Sequence, residues 1–381
     1  MIISDEVSRL KSKLIEDKAF FNSHPELGFN EHITADYISS TLISLGFSVK
    51  KNVAGTGVVG LLGQDQDKNK QCILFRADMD AVLMNPEDPS SVKHTCGHDA
   101  HMAILLGLAR ILSKNISDLK GMVKLVFQPG EEGLGGAELM IKQGVLDYPH
   151  VDKVFALHVW SELLEGEIGI QDGAIMASGD EFTIEVIGKS GHAALPEKCV
   201  DAIAIASQII TALQFIVSRN INPLETVVIS IGTIFGGCNY NTICEKVTIK
   251  GTCRTYNNQI RQYISERIKN TSISIARCYG GDAIIDYRHK HPAVVNSNEE
   301  ALMVSQLSET IVGSRNVIKN YKTMCTEDFS HYLQYSQGAL VFIGCQGERY
   351  FPQHNPNYYV DESALLIGLE LFYQITKKYL Y

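Results

Sequence analysis

The stretch HTCGHDAHMAILLGLARIL, residues 94–112, begins as a polar segment and continues as a nearly all-apolar one. Its first eight residues include three histidines, one cysteine and one aspartate. These side chains bind metal ions or change their charge readily. The apolar part, 101–112, predicts a helix, so a cluster of reactive side chains directly precedes a helix of the core.

Short apolar runs on both sides of this helix predict strands at 57–62, 72–77, 122–127 and 153–160. Helical patterns at 5–21 and 32–45 precede the strands. Continuous apolar strands that alternate with helices indicate a buried, largely parallel α/β sheet. The fold class is therefore α/β, with a mixed, largely parallel sheet flanked by helices.

The pattern changes near residue 180, where DEFTIEVIG (180–188) alternates between apolar and polar residues. Such alternation is typical of a half-exposed antiparallel strand. A helix at 201–218, strands at 226–234 and 246–255, a helix at 257–278 and a strand at 282–289 complete a split βαβ pattern. Helices at 298–312 and 361–379, with a strand at 339–344, return to the first pattern. We expect a catalytic domain built from 1–179 and 292–381, interrupted by an α+β domain at 180–291.

The composition limits the class of protein. The 381 residues carry a formal net charge of -9, which argues against nucleic acid and anionic membranes as partners. The N-terminus has no apolar signal core, and we expect no stretch to approach the ~20 apolar residues of a membrane span. Nine scattered cysteines, an odd number without a CxxC pair, favour reduced thiols. The expectation is a cytoplasmic enzyme.

Ionisable side chains follow several of the predicted strands. In open α/β sheets, ligands bind outside the carboxyl ends of the strands. We therefore expect a metal site at this edge of the sheet. Its candidate residues are Asp78 and Asp80 after the second strand, Glu131 and Glu132 after the third, His158 near the end of the fourth, and Cys96 and His98 before the helix.

The spacing within these groups suggests their roles. Cys96 and His98 lie two residues apart, which places them on one side of an extended segment, and the following helix N-terminus favours a thiolate. The side chains of Glu131 and Glu132 diverge, so one can bind a metal ion while the other takes a proton from water. His354, in a proline-flanked loop, could supply a further histidine, although alone it would more often be structural.

Ten motifs occur in an order that resembles the metal-dependent amidohydrolases of the aminoacylase/carboxypeptidase superfamily. That group includes hippurate hydrolases, auxin–amino acid conjugate hydrolases and N-acetyl-diaminopimelate deacetylases. The motifs are HPELGF, RADMDA, HTCGHDAH, FQPGEEGLGGA, LHVW, GKSGHAALP, FGG with Asn241, GTCRT, TEDF and QHNP. The resemblance implies a zinc-peptidase-like catalytic domain with an inserted lid that mediates dimerisation.

The resemblance also implies roles for individual residues. The ligands of a two-metal site would be Cys96, His98, Glu132, His158 and His354, with Cys96 as a possible bridge. Glu131 matches the general base, and His192 matches a histidine that reaches the partner subunit's active site to stabilise the oxyanion. Asn241 and Arg254 match positions that contact substrate. Asp78, Asp80 and His101 would support the ligands from behind.

The expected reaction is hydrolysis of an N-acyl amino acid or a similar small amide. Thiolate and imidazole ligands favour Zn²⁺, while Mn²⁺, Co²⁺ or Ni²⁺ are alternatives that the resemblance leaves open. The expected partners are a small-molecule substrate and a second copy of the chain, bound through the lid. A dipeptidase or carboxypeptidase with the same machinery is an alternative, and a catalytically inactive ligand-binding relative is another.

Overall fold

The computed structural model of the chain describes residues 1–63, 71–347 and 350–381. The chain divides into two units. The first unit contains Met1–Ile175, Val295–Lys322 and Asp328–Tyr381. The second contains Met176–Val294 and Thr323–Glu327, and the last of these segments lies outside the range 180–291 predicted for the inserted domain.

Helices and strands alternate along the first part of the chain. In chain order they are α1 (Asp5–Ser8), α2 (Lys11–Ser23), α3 (His32–Ser44), β1 (Ser48–Val53), β2 (Gly57–Leu62), β3 (Cys72–Asp78), β4 (Val82–Leu83), β5 (Val92–Lys93), α4 (His98–Lys114), β6 (Met122–Gln128), α5 (Gly136–Lys142), β7 (Lys153–Leu164), β8 (Ile168–Ile170) and β9 (Gly173–Met176). The prediction of one continuous helix over 5–21 is wrong, because a turn at Arg9 and Leu10 separates α1 from α2.

The remaining elements complete both units. They are β10 (Ser178–Ile187), β11 (Gly191–His192), α6 (Ala202–Phe215), β12 (Val227–Gly236), β13 (Thr242–Ile243), β14 (Lys246–Thr255), α7 (Asn258–Cys278), β15 (Asp282–His291), β16 (Val294–Asn296), α8 (Asn298–Val312), β17 (Val317–Lys319), β18 (Gln337–Gln346) and α9 (Glu362–Leu380). The strands predicted at 226–234 and 246–255 correspond to β12 and β14.

The first unit is built on an eight-stranded sheet with the order β1-β2-β6-β3-β7-β18-β8-β17. Its four central strands, β6, β3, β7 and β18, are parallel, whereas β2 pairs with β6 in the antiparallel direction. Every residue of β3 and β6 is buried, which explains why their sequences are mostly apolar. The predicted α/β class with a mixed, largely parallel sheet is confirmed.

The buried helix α4 fixes the edge of the sheet where the reactive side chains lie. Fourteen of its residues are buried, and its apolar surface packs against α2, α9 and β3. Because parallel strands run in the same direction, the segments after β3 and β6 are brought together there, beside His158 within β7.

The second unit contains an antiparallel sheet with the order β12-β14-β10-β15. Helices α6 and α7 pack on it, and their apolar residues form a core with β10, β12 and β14. The element order, strand–helix–strand–strand–helix–strand, is the split βαβ pattern expected for the inserted α+β domain.

One described segment, Ala202–Asn220, has the length and apolar composition of a membrane span. The expectation that no stretch would approach this length is therefore wrong. Six of its residues are buried against the second unit's sheet: Ala202, Ile205, Ala206, Ile209, Leu213 and Ile216. A single helix of this kind is weak evidence for membrane insertion, since core helices meet the same criterion.

The second unit contains a buried ion pair between Asp180 and Arg261. Asp180 accepts hydrogen bonds from Arg261, and both side chains are buried. Tyr287 and His289 lie within hydrogen-bond distance of the same carboxylate, at 3.0 and 3.2 Å. Removing one partner of such a pair leaves a buried charge without compensation.

Asp180→Ala is therefore expected to lower the free energy of unfolding by about 3–5 kcal/mol. Urea denaturation followed by circular dichroism measures the change. The control is Asp286→Ala on β15, which removes an exposed pair with Arg288 and should leave stability unchanged. Equal stability of the two variants would contradict the assignment of Asp180 as the central ion-pair partner.

Candidate metal centre

Gly97 places the two residues beside it. Its φ of 93° is left-handed, and a Cβ there would lie 2.3 Å from Val159 Cγ2, so only glycine fits. Cys96 precedes the helix, but His98 is the first residue of α4. The prediction that both lie in a loop ending at residue 100 is therefore wrong for His98, because α4 begins three residues earlier than expected.

The predicted ligands lie close together in the first unit. Three of the groups of possible metal ligands among the described residues consist only of predicted ligands and the predicted base, and in each of them the ligand atoms all lie within 4.8 Å of one another. They are Cys96 with His98 and His158; Cys96 with Glu132 and His354; and His98 with Glu131 and Glu132. The sheet edge therefore brings together all five predicted ligands and the predicted base.

Backbone carbonyls fix the protonation of two histidines. His98 Nδ1 lies 2.7 Å from the carbonyl oxygen of Asp80, and His158 Nδ1 lies 2.7 Å from that of Val159. Because a carbonyl oxygen can only accept, each Nδ1 carries a proton, and Nε2 is the nitrogen that each ring turns toward the other ligands. Metal-binding histidines are commonly oriented in this way, by a hydrogen bond from the ring nitrogen that does not bind the metal ion.

The free nitrogens of these histidines face other ligand atoms. His158 Nε2 lies 3.6 Å from Cys96 Sγ. His98 Nε2 is buried and has no hydrogen-bond partner among the described residues. A buried ring nitrogen without a partner costs free energy unless a ligand satisfies it. Thiol sulfur, imidazole nitrogen and carboxylate oxygen are donors that suit a divalent transition metal, so the residues fit such an ion.

His101 has a different arrangement. Its Nδ1 lies 2.6 Å from Asp78 Oδ1, and its Nε2 accepts a hydrogen bond of 2.9 Å from the backbone N–H of Val159. Both ring nitrogens are therefore used within the protein. His101 can orient its neighbours but has no lone pair available for a metal ion.

Asp80 organises the turn that carries the two glutamates. Its Oδ1 accepts a hydrogen bond from the backbone N–H of Glu131 at 3.1 Å, and its Oδ2 accepts one from Glu132 at 2.9 Å. The backbone carbonyl oxygen of Asp80 also accepts a hydrogen bond from His98 Nδ1. One residue thus connects the glutamate turn with a ligand histidine.

Behind the ligands lies a buried polar network that the sequence reasoning missed. Arg76 donates to Asp78 at 2.8 Å, to Asp328 at 2.8 Å and to Gln128 at 3.0 Å. Gln128 Nε2 donates in turn to both oxygens of Asp328. A charged residue and an amide inside the fully buried strands CILFRAD and MVKLVFQ were the signals that could have revealed it.

Two groups of this network have shifted pKa values. Burial alone would raise the pKa of Asp78, but the nearby His98, His101 and Arg76 hold it well below its usual range. Burial raises the pKa of Asp328, although Arg76 opposes this. Asp78 therefore remains an anion that faces the histidines.

Burial also governs the pKa of the thiol. It raises the pKa of Cys96 well above its usual range, and the charge of Glu132 adds to the effect. The expectation that the helix N-terminus would favour a thiolate is therefore wrong for the metal-free protein. Burial lowers the pKa of His158, which keeps its imidazole neutral and able to bind a metal ion.

His354 completes the cluster from an exposed loop. Its φ of 64° is unusual for a residue other than glycine, and its backbone N–H donates to Thr95 at 2.8 Å. Its Nε2 lies 3.2 Å from Glu132 Oε1, and this contact raises the pKa of His354. The strained backbone thus directs the ring toward a ligand carboxylate.

Trp160 packs beside the cluster. It is the chain's only tryptophan, and its ring centroid lies 5.3 Å from that of His158 in an edge-on arrangement. Its indole N–H donates to Tyr321 Oη at 2.6 Å, which holds the ring in place.

The remaining predicted residues lie in the second unit. His192 pairs with Thr242 in the short β11–β13 ladder, and the backbone N–H of Ala193 donates to the carbonyl of Asn241 at 3.0 Å. His192 and Asn241 are therefore neighbours. Arg254 lies in β14, where its guanidinium donates to the carbonyl of Met324 at 2.7 Å.

The donor arrangement generates a prediction for Cys96. Cys96→Ala removes the atom shared by two ligand groups, so metal affinity should fall by more than the about 10–100-fold that loss of an outer partner costs. Elemental analysis after dialysis against defined free metal measures it. Cys278→Ala, which removes an exposed thiol, should retain metal. Full metal content in the Cys96 variant would remove Cys96 from the ligand set.

Comparisons with known proteins identify the family of the chain. The model of Peptidase family M20/M25/M40 matches residues 74–378. The chain is 35% identical over 373 residues to the IAA-amino acid hydrolase ILR1-like 4 of Arabidopsis thaliana, covering 94% of this chain and 84% of the relative. It is 33% identical over 381 residues to the N-acetyl-L-cysteine deacetylase of Bacillus subtilis, covering 98% and 90%.

A solved structure extends the similarity to the fold. The crystal structure of a dinuclear metal-binding peptidase of the M20 family from Bacillus subtilis has a TM-score of 0.82 and 29% identity. The comparison covers 97% of this chain and 98% of that one. The chain therefore belongs to peptidase family M20/M25/M40 and is an amide-cleaving hydrolase.

Proposed function

We propose that the protein hydrolyses N-acyl amino acids to a carboxylate and a free amino acid with the help of two divalent metal ions. The observation that carries this proposal is the turn of Glu131 and Glu132 beside the buried donors of Cys96 and His98. It places a carboxylate that can bind a metal ion next to one that can move a proton. The similarity to an N-acetyl-L-cysteine deacetylase supports the substrate class.

We assign the metal ions to Cys96, His98, Glu132, His158 and His354. The similarity to a dinuclear peptidase supports the number of ions, and the shared position of Cys96 in two ligand groups supports a bridging role. Zn²⁺ best suits thiolate and imidazole donors, and Mn²⁺, Co²⁺ and Ni²⁺ are the alternatives. Asp78, Asp80 and His101 orient the ligands.

When bound, such ions supply a Lewis acid for the amide carbonyl and lower the pKa of water. Glu131 accepts a proton from the attacking water and returns it to the nitrogen of the leaving amine. This double use of one carboxylate requires that its position be fixed, and the Asp80 hydrogen bonds to the turn provide that support.

The second unit supplies the groups that hold the substrate. His192 Nδ1 accepts a hydrogen bond from the N–H of Ala194 at 3.1 Å, so the Nε2 of a neutral ring carries the proton. That N–H can donate to the carbonyl oxygen as it gains charge. Asn241 can contact the amide, and Arg254 can bind the carboxylate of the amino acid.

We further propose that His192 acts in the site of a partner subunit, within a homodimer formed through the second unit. The exposed position of His192 supports this arrangement. We also place the enzyme in the cytoplasm, where Cys96 would be kept as the reduced thiol that metal binding requires.

A dipeptidase or carboxypeptidase is the second candidate, since one M20 relative of known structure is a peptidase. The two reactions use the same groups and differ in the shape of the acyl pocket. An inactive ligand-binding protein is disfavoured, because every proposed ligand and Glu131 are present.

A substrate panel separates these functions. We expect turnover of N-acetyl or N-benzoyl amino acids to exceed that of dipeptides, and a chelator to abolish it. Amino acid release is measured with Zn²⁺, Mn²⁺, Co²⁺ and Ni²⁺ in turn. Faster cleavage of dipeptides would favour the peptidase, and inactivity with every metal would contradict both.

Glu131→Gln should lower kcat by about 10²–10⁴-fold, because the amide cannot accept the proton from water. Metal content should stay at the wild-type value, since Glu132 remains. Steady-state kinetics and elemental analysis measure both quantities. Glu138→Gln, an exposed change on α5, is the matched control. Near-normal kcat in the Glu131 variant would remove it as the base.

A further inference from the structure

Glu31 is a buried carboxylate that the helix it begins does not use. It occupies the N-cap position of α3, yet within the described residues its side chain makes no capping hydrogen bond. Glu26 does so instead, since its carboxylate accepts from the backbone N–H groups of Ile33 at 3.0 Å and Thr34 at 2.9 Å. The side chain of Glu31 therefore serves another purpose.

The carboxylate of Glu31 points at the turn that carries the proposed base. Its Oε1 accepts a hydrogen bond of 3.0 Å from the backbone N–H of Gly130. Its Oε2 accepts a hydrogen bond from the hydroxyl of Thr56, which is itself buried. Gly130 directly precedes Glu131 in the chain.

Three successive backbone N–H groups are thus bound by two buried carboxylates. Gly130 donates to Glu31, while Glu131 and Glu132 donate to Asp80. Each donor lies in the backbone, so these bonds fix the path of the chain through the turn. They leave the side chain of Glu131 to other interactions.

The segment before Glu31 holds the same turn by packing. Gly130 has a left-handed φ of 62°, and a Cβ there would lie 2.9–3.3 Å from three atoms of the Phe29 ring. Phe29 itself has a φ of 63°, a conformation that costs free energy in a non-glycine residue. The segment therefore both packs on Gly130 and binds its N–H.

Burying a carboxylate to accept a hydrogen bond from one backbone amide costs desolvation free energy. Burial raises the pKa of Glu31, and the nearby charge of Asp80 raises it further. An uncharged amide side chain could accept the same hydrogen bond without the desolvation of a charge. The hydrogen bond to Gly130 therefore requires an acceptor at this position and does not require a charge.

We propose that Glu31 is a positioning residue that anchors the backbone of Gly130 and so fixes the orientation of Glu131 for proton transfer. This inference rests on the proposed function in that Glu131 must be the base. Glu31 touches neither substrate nor metal ion in this account and acts only through the turn.

The test compares Glu31→Leu with Glu31→Gln. Leucine removes the acceptor, so kcat should fall by about 10²-fold, the size expected for a misplaced catalytic group. KM and metal content should change little. Glutamine can turn its carbonyl oxygen to Gly130 and its NH₂ to Thr56, whose hydroxyl can then accept. It should restore most of kcat.

A second readout reports the turn directly. Hydrogen exchange at the backbone amides of residues 130–132 should accelerate in Glu31→Leu and stay near the wild-type rate in Glu31→Gln. If Glu31→Leu does not fold, Thr56→Val replaces it. That variant removes the hydrogen bond to Glu31 Oε2, and its kcat and exchange rates are compared with those of the wild type. Accelerated exchange with unchanged kcat, in either variant, would overturn the proposal.

Glu26→Ala is the structural control, since it removes the cap of α3 without contacting the turn through its side chain. It should lower the thermal midpoint and leave kcat unchanged. A loss of kcat in Glu26→Ala equal to that in Glu31→Leu would assign the effect to general destabilisation and would also overturn the proposal.

The outcome separates this inference from the proposed function. An active Glu131→Gln variant would contradict the assignment of the base. An inactive Glu131→Gln variant together with a fully active Glu31→Leu variant would leave the proposed function intact and contradict only the role of Glu31.

Discussion

Two hydrogen bonds to the carboxylate of Asp80 join the end of β3 to the turn after β6. They span about fifty residues of sequence and bind consecutive N–H groups, so the turn cannot rotate without losing both. The carbonyl oxygen of the same residue accepts a hydrogen bond from His98 Nδ1 and so orients the ring. The geometry of the donor cluster therefore depends on the position of Asp80, which follows β3.

Such an edge of the sheet concentrates negative charge where water is scarce. Arg76 is the buried cation that offsets it, shared between Asp78 and Asp328. Buried ion pairs add little net stability compared with apolar packing, so their presence here points to the placement of charge as the reason. The anion of Asp78 then fixes His101, which holds the backbone of β7 at Val159.

Local sequence patterns predicted most of the helices and strands around the donor cluster. Apolar runs marked the strands, polar residues marked their ends, and parallel strands end at the same edge of the sheet. That reasoning placed Asp80, Glu132 and His158 at one edge. It could not find Arg76, whose partner Asp328 lies 252 residues away. It also gave the wrong direction for the pKa of Cys96, since the depth of burial is a property of the folded chain. The contact between Glu31 and Gly130 could not be predicted from the sequence either, because Glu31 occupies the position of an ordinary helix cap.

The edge-on contact between Trp160 and His158 gives the protein a built-in optical probe. Indole emission responds to the charge and motion of adjacent groups, and with one indole in the chain the signal comes from one place. Loading of the cluster can thus be followed in real time, without a label and without a substrate.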